Sequence, residues 1–229
     1  LLAHRLAPRL RLAHGVIFAV AAAIVLAPWL ARNVARFGDP ALSKGYAEVI
    51  LSQRLSYNRM SWGEWLVAWI YWLPDFGDGL ARILFPKALY AKLGWSVPDS
   101  YYFEGGGGGM FWAKVLAEAG SRENALGHLV RHYLIGDAVK HVLVSLPLTM
   151  RGLGVAKYLS VVAVPLIWLA GRRMHARGAL LPYLALALPL LAMALLHGFI
   201  SVNIVRYNVP IVALYAFVVA SLGVELLEA

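Results

Sequence analysis

Six side chains beside apolar segments of the sequence could bind an anionic group: Arg32, Arg36, Lys44, Tyr46, Arg206 and Tyr207. An arginine guanidinium forms two parallel hydrogen bonds with a phosphate, whereas a lysine ammonium acts as a point charge. A tyrosine can add a hydroxyl contact or a flat ring face. The alternative is structural, because arginine and tyrosine at helix ends commonly reach the head-group layer and anchor the helix.

Three histidines are weaker candidates. His128 and His132 have the four-residue spacing of two zinc ligands on one helix face. Leu129 stands where the zinc-protease motif requires a glutamate, so no metal site is predicted. His197 lies near the end of an apolar segment, where an ionisable group is a functional candidate. A hydrogen bond between helices is the favoured explanation for it.

Two carboxylates flank the turn sequence that follows a tryptophan-rich segment. Asp75 and Asp78 could position an acceptor or hold a divalent cation. Turn capping explains them better, so no cofactor is expected and a divalent cation is only the alternative. The run Gly105–Gly109 predicts a mobile connector. A phosphate-binding loop is not predicted, because Met110 follows the run where that motif requires lysine.

The composition indicates that these residues belong to a membrane protein. Of the 229 residues, 61% are hydrophobic and 14% are charged, and the mean hydropathy is +0.67. Soluble domains average about 45–50% apolar and about 25% charged residues. The formal net charge is +9, but the basic residues lie beside apolar segments without aromatic interleaving, so no nucleic-acid partner is predicted. Membrane lipids are the expected surroundings.

Four apolar segments approach the roughly 20 residues that cross a bilayer: Gly15–Leu30, Leu153–Ala170, Ala179–Ser201 and Asn208–Leu222. The fold class predicted is an all-α polytopic membrane protein with about four transmembrane helices and a mostly helical extracytoplasmic loop domain. The predicted division is a leader and first span over 1–31, the loop domain over 32–152, and three spans over 153–229. The basic leader and the basic turn 171–178 should be cytoplasmic, which places the long loop outside.

A tryptophan-rich helix that does not cross the membrane is predicted within the loop. Residues 61–73 are apolar but cover only about 20 Å as a helix, too short to cross a bilayer. One face carries Trp62, Trp65, Trp69 and Trp72. This stripe predicts a helix lying in the outer interface. The alternative is a core helix of the loop domain that packs its tryptophans inward.

Two motifs carry a family resemblance. The first covers Pro28–Pro40 and reads P-W-x-x-R-N-x-x-x-x-G-x-P, and the second covers Arg206–Pro210 and reads R-Y-x-x-P. With the long loop between them, the pattern resembles the C-terminal half of GT-C membrane glycosyltransferases, in the clan of bacterial protein O-mannosyltransferases and aminoarabinose transferases.

The resemblance implies sugar transfer from a polyprenyl-phosphate donor to an envelope glycan, lipid or protein, on the outer face of the bacterial cytoplasmic membrane. It also implies an aspartate base on an early outer loop, and we expect this chain to be part of a longer protein that carries it. The catalytic residues are therefore expected elsewhere. The alternatives are a transporter or flippase segment and a non-catalytic membrane assembly subunit.

Overall fold

The structure is a computed structural model that describes residues 8–38, 47–94, 97–102 and 106–228. Every regular element in those ranges is helical, which confirms the all-α prediction. The α-helices are α1 (Pro8–Phe37), α2 (Ala47–Ser56), α3 (Trp62–Tyr71), α4 (Gly77–Leu84), α5 (Gly107–Ala119), α6 (Arg122–His128), α7 (Ala138–Leu153), α8 (Tyr158–Ala176), α9 (Leu180–Ile200) and α10 (Ile211–Glu228). Shorter helical segments cover Tyr57–Arg59, Lys87–Leu89, Leu129–Ile135, Gly154–Ala156 and Val205–Asn208.

The chain divides into two compact units, Leu1–Ala47 and Glu48–Ala229. The described part of the first unit is dominated by α1, which contains the predicted segment Gly15–Leu30 and continues to Phe37. The second unit has two parts, which we call the cap (α2–α7) and the bundle (α8–α10).

The cap has its own buried apolar interior. One cluster packs around Tyr57, Met60 and Trp72, and a second packs around Leu55 and Phe111. Val202, from the connection between α9 and α10, lies in the first of these clusters. The cap therefore packs directly on the connection between α9 and α10. The candidate site lies in this connection.

The tryptophan stripe packs partly inward. Ser61 begins α3 with a capping box, because its hydroxyl accepts from the Glu64 N–H while its own N–H donates to Oε2 of Glu64. Trp72 is only 7% exposed, and Nε1 of Trp65 donates to the carbonyl oxygen of Leu143 at 2.9 Å. Trp62, at the start of the helix, is 55% exposed. Trp72 packs inward, as the core-helix alternative predicts. The position of α3 at a membrane interface stays a prediction.

The glycine run was predicted to be a mobile connector, and this was wrong for its described part. Gly107 begins α5, and Gly106, Gly107 and Gly108 lie against backbone carbonyls of residues 98–102. A Cβ on Gly107 would lie 2.8 Å from the carbonyl oxygen of Asp99, closer than real Cβ atoms approach. These glycines allow the start of α5 to contact the backbone of residues 98–102, so their role is in packing.

The transmembrane prediction is only partly supported. Within the described residues, one helix is long and apolar enough to cross a membrane, Leu180–Ile200. A second span is possible if Ala138–Ala156 and Tyr158–Ala176 are taken together, although they are bent by 112°. Ile211–Gly223 is apolar but shorter. The predicted span Leu153–Ala170 does not form one helix, because the backbone bends at Lys157, which has a φ of 54°, and α8 begins only at Tyr158.

Candidate functional site

The connection between α9 and α10 is a polar turn built on two buried asparagines. Asn203 and Asn208 are fully buried, and Asn203 has a φ of 49°. This left-handed conformation is better tolerated by asparagine than by most other residues. Nδ2 of Asn203 donates to the carbonyl oxygens of Leu148 at 2.8 Å and Ala194 at 3.1 Å. The turn is therefore fixed to both α7 and α9. We call residues Ser201–Asn208 the asparagine turn.

The second asparagine fixes the other end of the asparagine turn. Nδ2 of Asn208 donates to Oδ1 of Asn203 at 2.6 Å. Nδ1 of His197 lies 3.3 Å from Oδ1 of Asn208, and the His197 ring centre lies 5.6 Å from that of Tyr207. The contact with Asn208 agrees with the favoured explanation of His197 as a residue that hydrogen-bonds to a neighbouring helical segment.

Arg206 and Tyr207 are presented by this fixed backbone. Arg206 is exposed and Tyr207 is half-buried. The guanidinium carbon of Arg206 lies 5.6 Å from the centre of the Tyr207 ring, a cation–π distance. Within the described ranges, no carboxylate forms an ion pair with Arg206. The side chain is available for an external anion, and the ring beside it offers a face for an uncharged group.

Close packing of α7 on α9 positions the asparagine turn. A Cβ added to Gly152 would overlap the side chain of Asn203, and one added to Gly198 would overlap Oγ1 of Thr149. Gly198 therefore permits the close approach of α9 to α7, and Gly152 leaves room on α7 for the side chain of Asn203. The geometry of the turn depends on these two positions.

A buried arginine, which the sequence did not single out, links the cap to α9. Arg54 is fully buried on α2, and its Nε donates to the carbonyl oxygen of Gly198 at 2.6 Å. Its Nη2 donates to the His141 carbonyl oxygen at 3.0 Å and to Oγ of Ser145 at 2.6 Å, and its Nη1 donates to Oδ1 of Asn58 at 3.0 Å. Burial lowers the pKa of Arg54 from 12.5 to about 9. The guanidinium holds α2, α7 and the end of α9 together, and none of these four acceptors is a carboxylate.

The remaining predicted phosphate contacts lie outside the second unit. Arg32 and Arg36 are exposed residues of α1, in the first unit. Lys44 and Tyr46 lie outside the described residues. The prediction that these four side chains join Arg206 and Tyr207 at one site stays a prediction.

The other candidates have local partners. Nε2 of His128 lies 2.9 Å from Oε2 of Glu118, and its ring centre lies 4.5 Å from that of His132. Asp78 forms an ion pair with Arg82 at 3.3 Å within α4. Asp75 has a φ of 63°, a turn conformation that aspartate tolerates. Among the described residues, no group of three or more potential metal ligands is found.

Comparison of the chain with models of known families, with curated proteins and with solved structures finds no match.

Proposed function

We propose that this chain is a membrane-embedded part of a glycosyltransferase that takes a sugar from a polyprenyl-phosphate donor. The observation that carries the proposal is the exposed Arg206–Tyr207 pair on the asparagine turn. Because buried hydrogen bonds already fix the backbone of the turn, binding of an anion has to order only the side chain of Arg206, which favours recognition of one defined anion.

Exposed apolar side chains on the bundle support membrane embedding. On α9 they include Leu181, Leu188 and Leu196, and on α8 they include Val162 and Trp168. Such a surface is costly in water and neutral in lipid. The polytopic arrangement of about four spans belongs to this proposal.

The charges at the two ends of α9 support an outer position for the asparagine turn. Arg172, Arg173 and Arg177 lie near the α8–α9 connection, which carries no acidic residue. Short basic connections stay on the cytoplasmic side. The 21 residues of α9 extend about 31 Å, close to the thickness of the hydrocarbon core. Arg206 would then meet the outer head-group layer, where the phosphate of a lipid-linked sugar lies.

The reaction proposed is a displacement at the anomeric carbon. A hydroxyl oxygen of the acceptor forms the new bond to that carbon, and the bond from the carbon to the phosphate oxygen breaks. The lipid phosphate leaves with the electron pair, and the acceptor proton passes to a general base that is not assigned to any residue of this chain. Arg206 would stabilise the growing phosphate charge, and Tyr207 would contact the sugar.

Donor binding by Arg206 variants tests the proposal. Loss of a charge-assisted hydrogen bond costs about 1.5–3 kcal/mol, so Arg206→Ala should weaken binding of undecaprenyl phosphate about 10- to 100-fold. The matched control is Arg82→Ala, which removes an exposed arginine of the cap. Titration of the lipid into protein in nanodiscs measures both, and sugar transfer in membranes gives the second readout. Equal affinity of Arg206→Ala and the control would refute the donor site. If Arg206→Ala loses donor flipping and the unmodified protein shows no measurable sugar transfer, a flippase is favoured.

A further inference from the structure

A cavity lies in the cap and is lined by no residue of the asparagine turn. It has a volume of about 290 Å³, near the lower end of the roughly 300–1,000 Å³ that is usual for small-molecule sites. Polar and aromatic side chains of α2, α5 and α6 line it, together with Gly108. The lining includes Ser52, Gln53, Tyr102, Trp112 and Arg122. We call this cavity the cap pocket.

Ser52 is the first sign that the cap pocket takes a ligand. The residue is 1% exposed, and its hydroxyl oxygen has no hydrogen-bond partner among the described residues. A buried hydroxyl without a partner costs free energy, so such groups are normally satisfied. The neighbouring Gln53 is also buried at the same wall. One water molecule occupies about 30 Å³, so the pocket has room for a much larger polar group.

The rest of the lining indicates an uncharged ligand with an apolar face. Trp112 offers an indole ring, which packs well against C–H groups. Arg122 is paired with Glu48 at 3.0 Å, so this guanidinium brings no uncompensated positive charge to the pocket. Serine and glutamine together supply hydrogen-bond donors and acceptors.

We infer that the cap pocket binds a single neutral sugar ring. A pyranose has hydroxyls around its edge for Ser52 and Gln53 and a C–H face for Trp112. The assignment of this ring as the acceptor sugar rests on the proposed function. The binding of a sugar in the cap pocket does not depend on that function.

Binding of simple glycosides to the chain in nanodiscs tests the inference. The probes are the methyl glycosides of mannose, glucose, N-acetylglucosamine and arabinose, measured by saturation-transfer difference NMR. At least one probe should bind saturably in the millimolar range or tighter. Ser52→Ala should weaken that binding at least fivefold, and Trp112→Leu at least tenfold. Trp62→Leu, which removes an exposed tryptophan outside the pocket, should leave it unchanged.

Thermal unfolding separates ligand binding from a structural role. Because the Ser52 hydroxyl makes no hydrogen bond in the described structure, Ser52→Ala should keep or raise the unfolding midpoint. Absence of saturable binding by all four probes would overturn the inference, as would unchanged binding by Ser52→Ala. A lowered midpoint with unchanged binding would also overturn it, since it assigns the hydroxyl to folding.

The inference and the proposed function fail separately. Arg206→Ala should keep glycoside binding, because Arg206 does not line the cap pocket. Glycoside binding without donor binding would refute the donor site alone. Donor binding without glycoside binding would refute the cap pocket alone.

Discussion

Replacement of Arg54 should show how strongly the cap is held to α9. The carbonyl oxygen of Gly198 lies in the last turn of α9, where helical carbonyls lack partners in their own helix, and Nε of Arg54 supplies the donor. Leaving this oxygen unpaired costs about 1–3 kcal/mol, and losing the buried aliphatic stem costs about 2 kcal/mol. Arg54→Ala should therefore destabilise the second unit by about 3–5 kcal/mol.

Two further substitutions divide this cost. Arg54→Met keeps most of the buried volume and leaves mainly the unpaired oxygen of Gly198, so about 1–3 kcal/mol should be lost. Arg54→Lys places one nitrogen where three nitrogens of Arg54 reach acceptors on three helices. Because burial already disfavours a charge at this site, Arg54→Lys should be no more stable than Arg54→Met.

Thermal unfolding in nanodiscs, followed by tryptophan fluorescence, measures these differences. At about 2–4 °C for each kcal/mol in a chain of this size, Arg54→Ala should lower the midpoint by about 6–20 °C. Arg82→Ala is the control, because its exposed ion pair should contribute at most about 1 kcal/mol. A shift for Arg54→Ala no larger than the control, or a wild-type midpoint for Arg54→Lys, would refute the role of the guanidinium in joining these helices.

Three further substitutions test the packing, the capping and the pH dependence of the second unit. Gly198→Ala should cost about 1–3 kcal/mol, because its Cβ would overlap Thr149, whereas Gly127→Ala has open space and should be neutral or stabilising; equal midpoints would contradict this packing. Ser61→Ala should cost about 1 kcal/mol by removing the cap of α3, and unchanged amide exchange in the first turn of α3 would disprove the cap. Hydrogen bonds from neighbouring side chains lower the pKa of Glu118, so its contribution to stability is present above its usual pKa of 4.5 and is lost as the pH falls below it. The stability difference between the native protein and Glu118→Gln should therefore shrink on acidification, and a difference that grows would show the opposite sign.

The helical class and the start of α6 can be predicted from the sequence because they depend on local signals. Composition indicates apolar helices, and Ser121 caps α6 as its type and position predict, accepting from the Asn124 N–H at 3.4 Å. The start of α8 could not be predicted in this way. The stretch Leu153–Ala170 contains one charged residue, Lys157, and its type does not predict the φ of 54° at which the backbone turns before α8.

The site was predictable only in its exposed part. Arg206 and Tyr207 stand out because charged and aromatic residues are unusual beside an apolar helix. Asn208 stands in the same motif and Asn203 shortly before it, but neither has a distinctive spacing. The role of Asn203 depends on carbonyls of α7 and α9, and that of Asn208 depends on Asn203. Arg54 was missed for a similar reason, because an arginine in a long loop is normally solvated and its acceptors lie 87 and 144 positions further along the chain.

The distance along the chain between Arg54 and its acceptors also sets the order in which the second unit can fold during synthesis. The ribosome releases the chain from its N-terminal end, so α2 emerges long before the carbonyl of Gly198 exists. Until then the guanidinium of Arg54 lacks its longest-range acceptor, and it is better accommodated in water than in an apolar interior. Closure of the cap over this charge is therefore a late event that follows release of α9. A nascent chain halted before residue 198 should hold α2 in a hydrated, unfinished state.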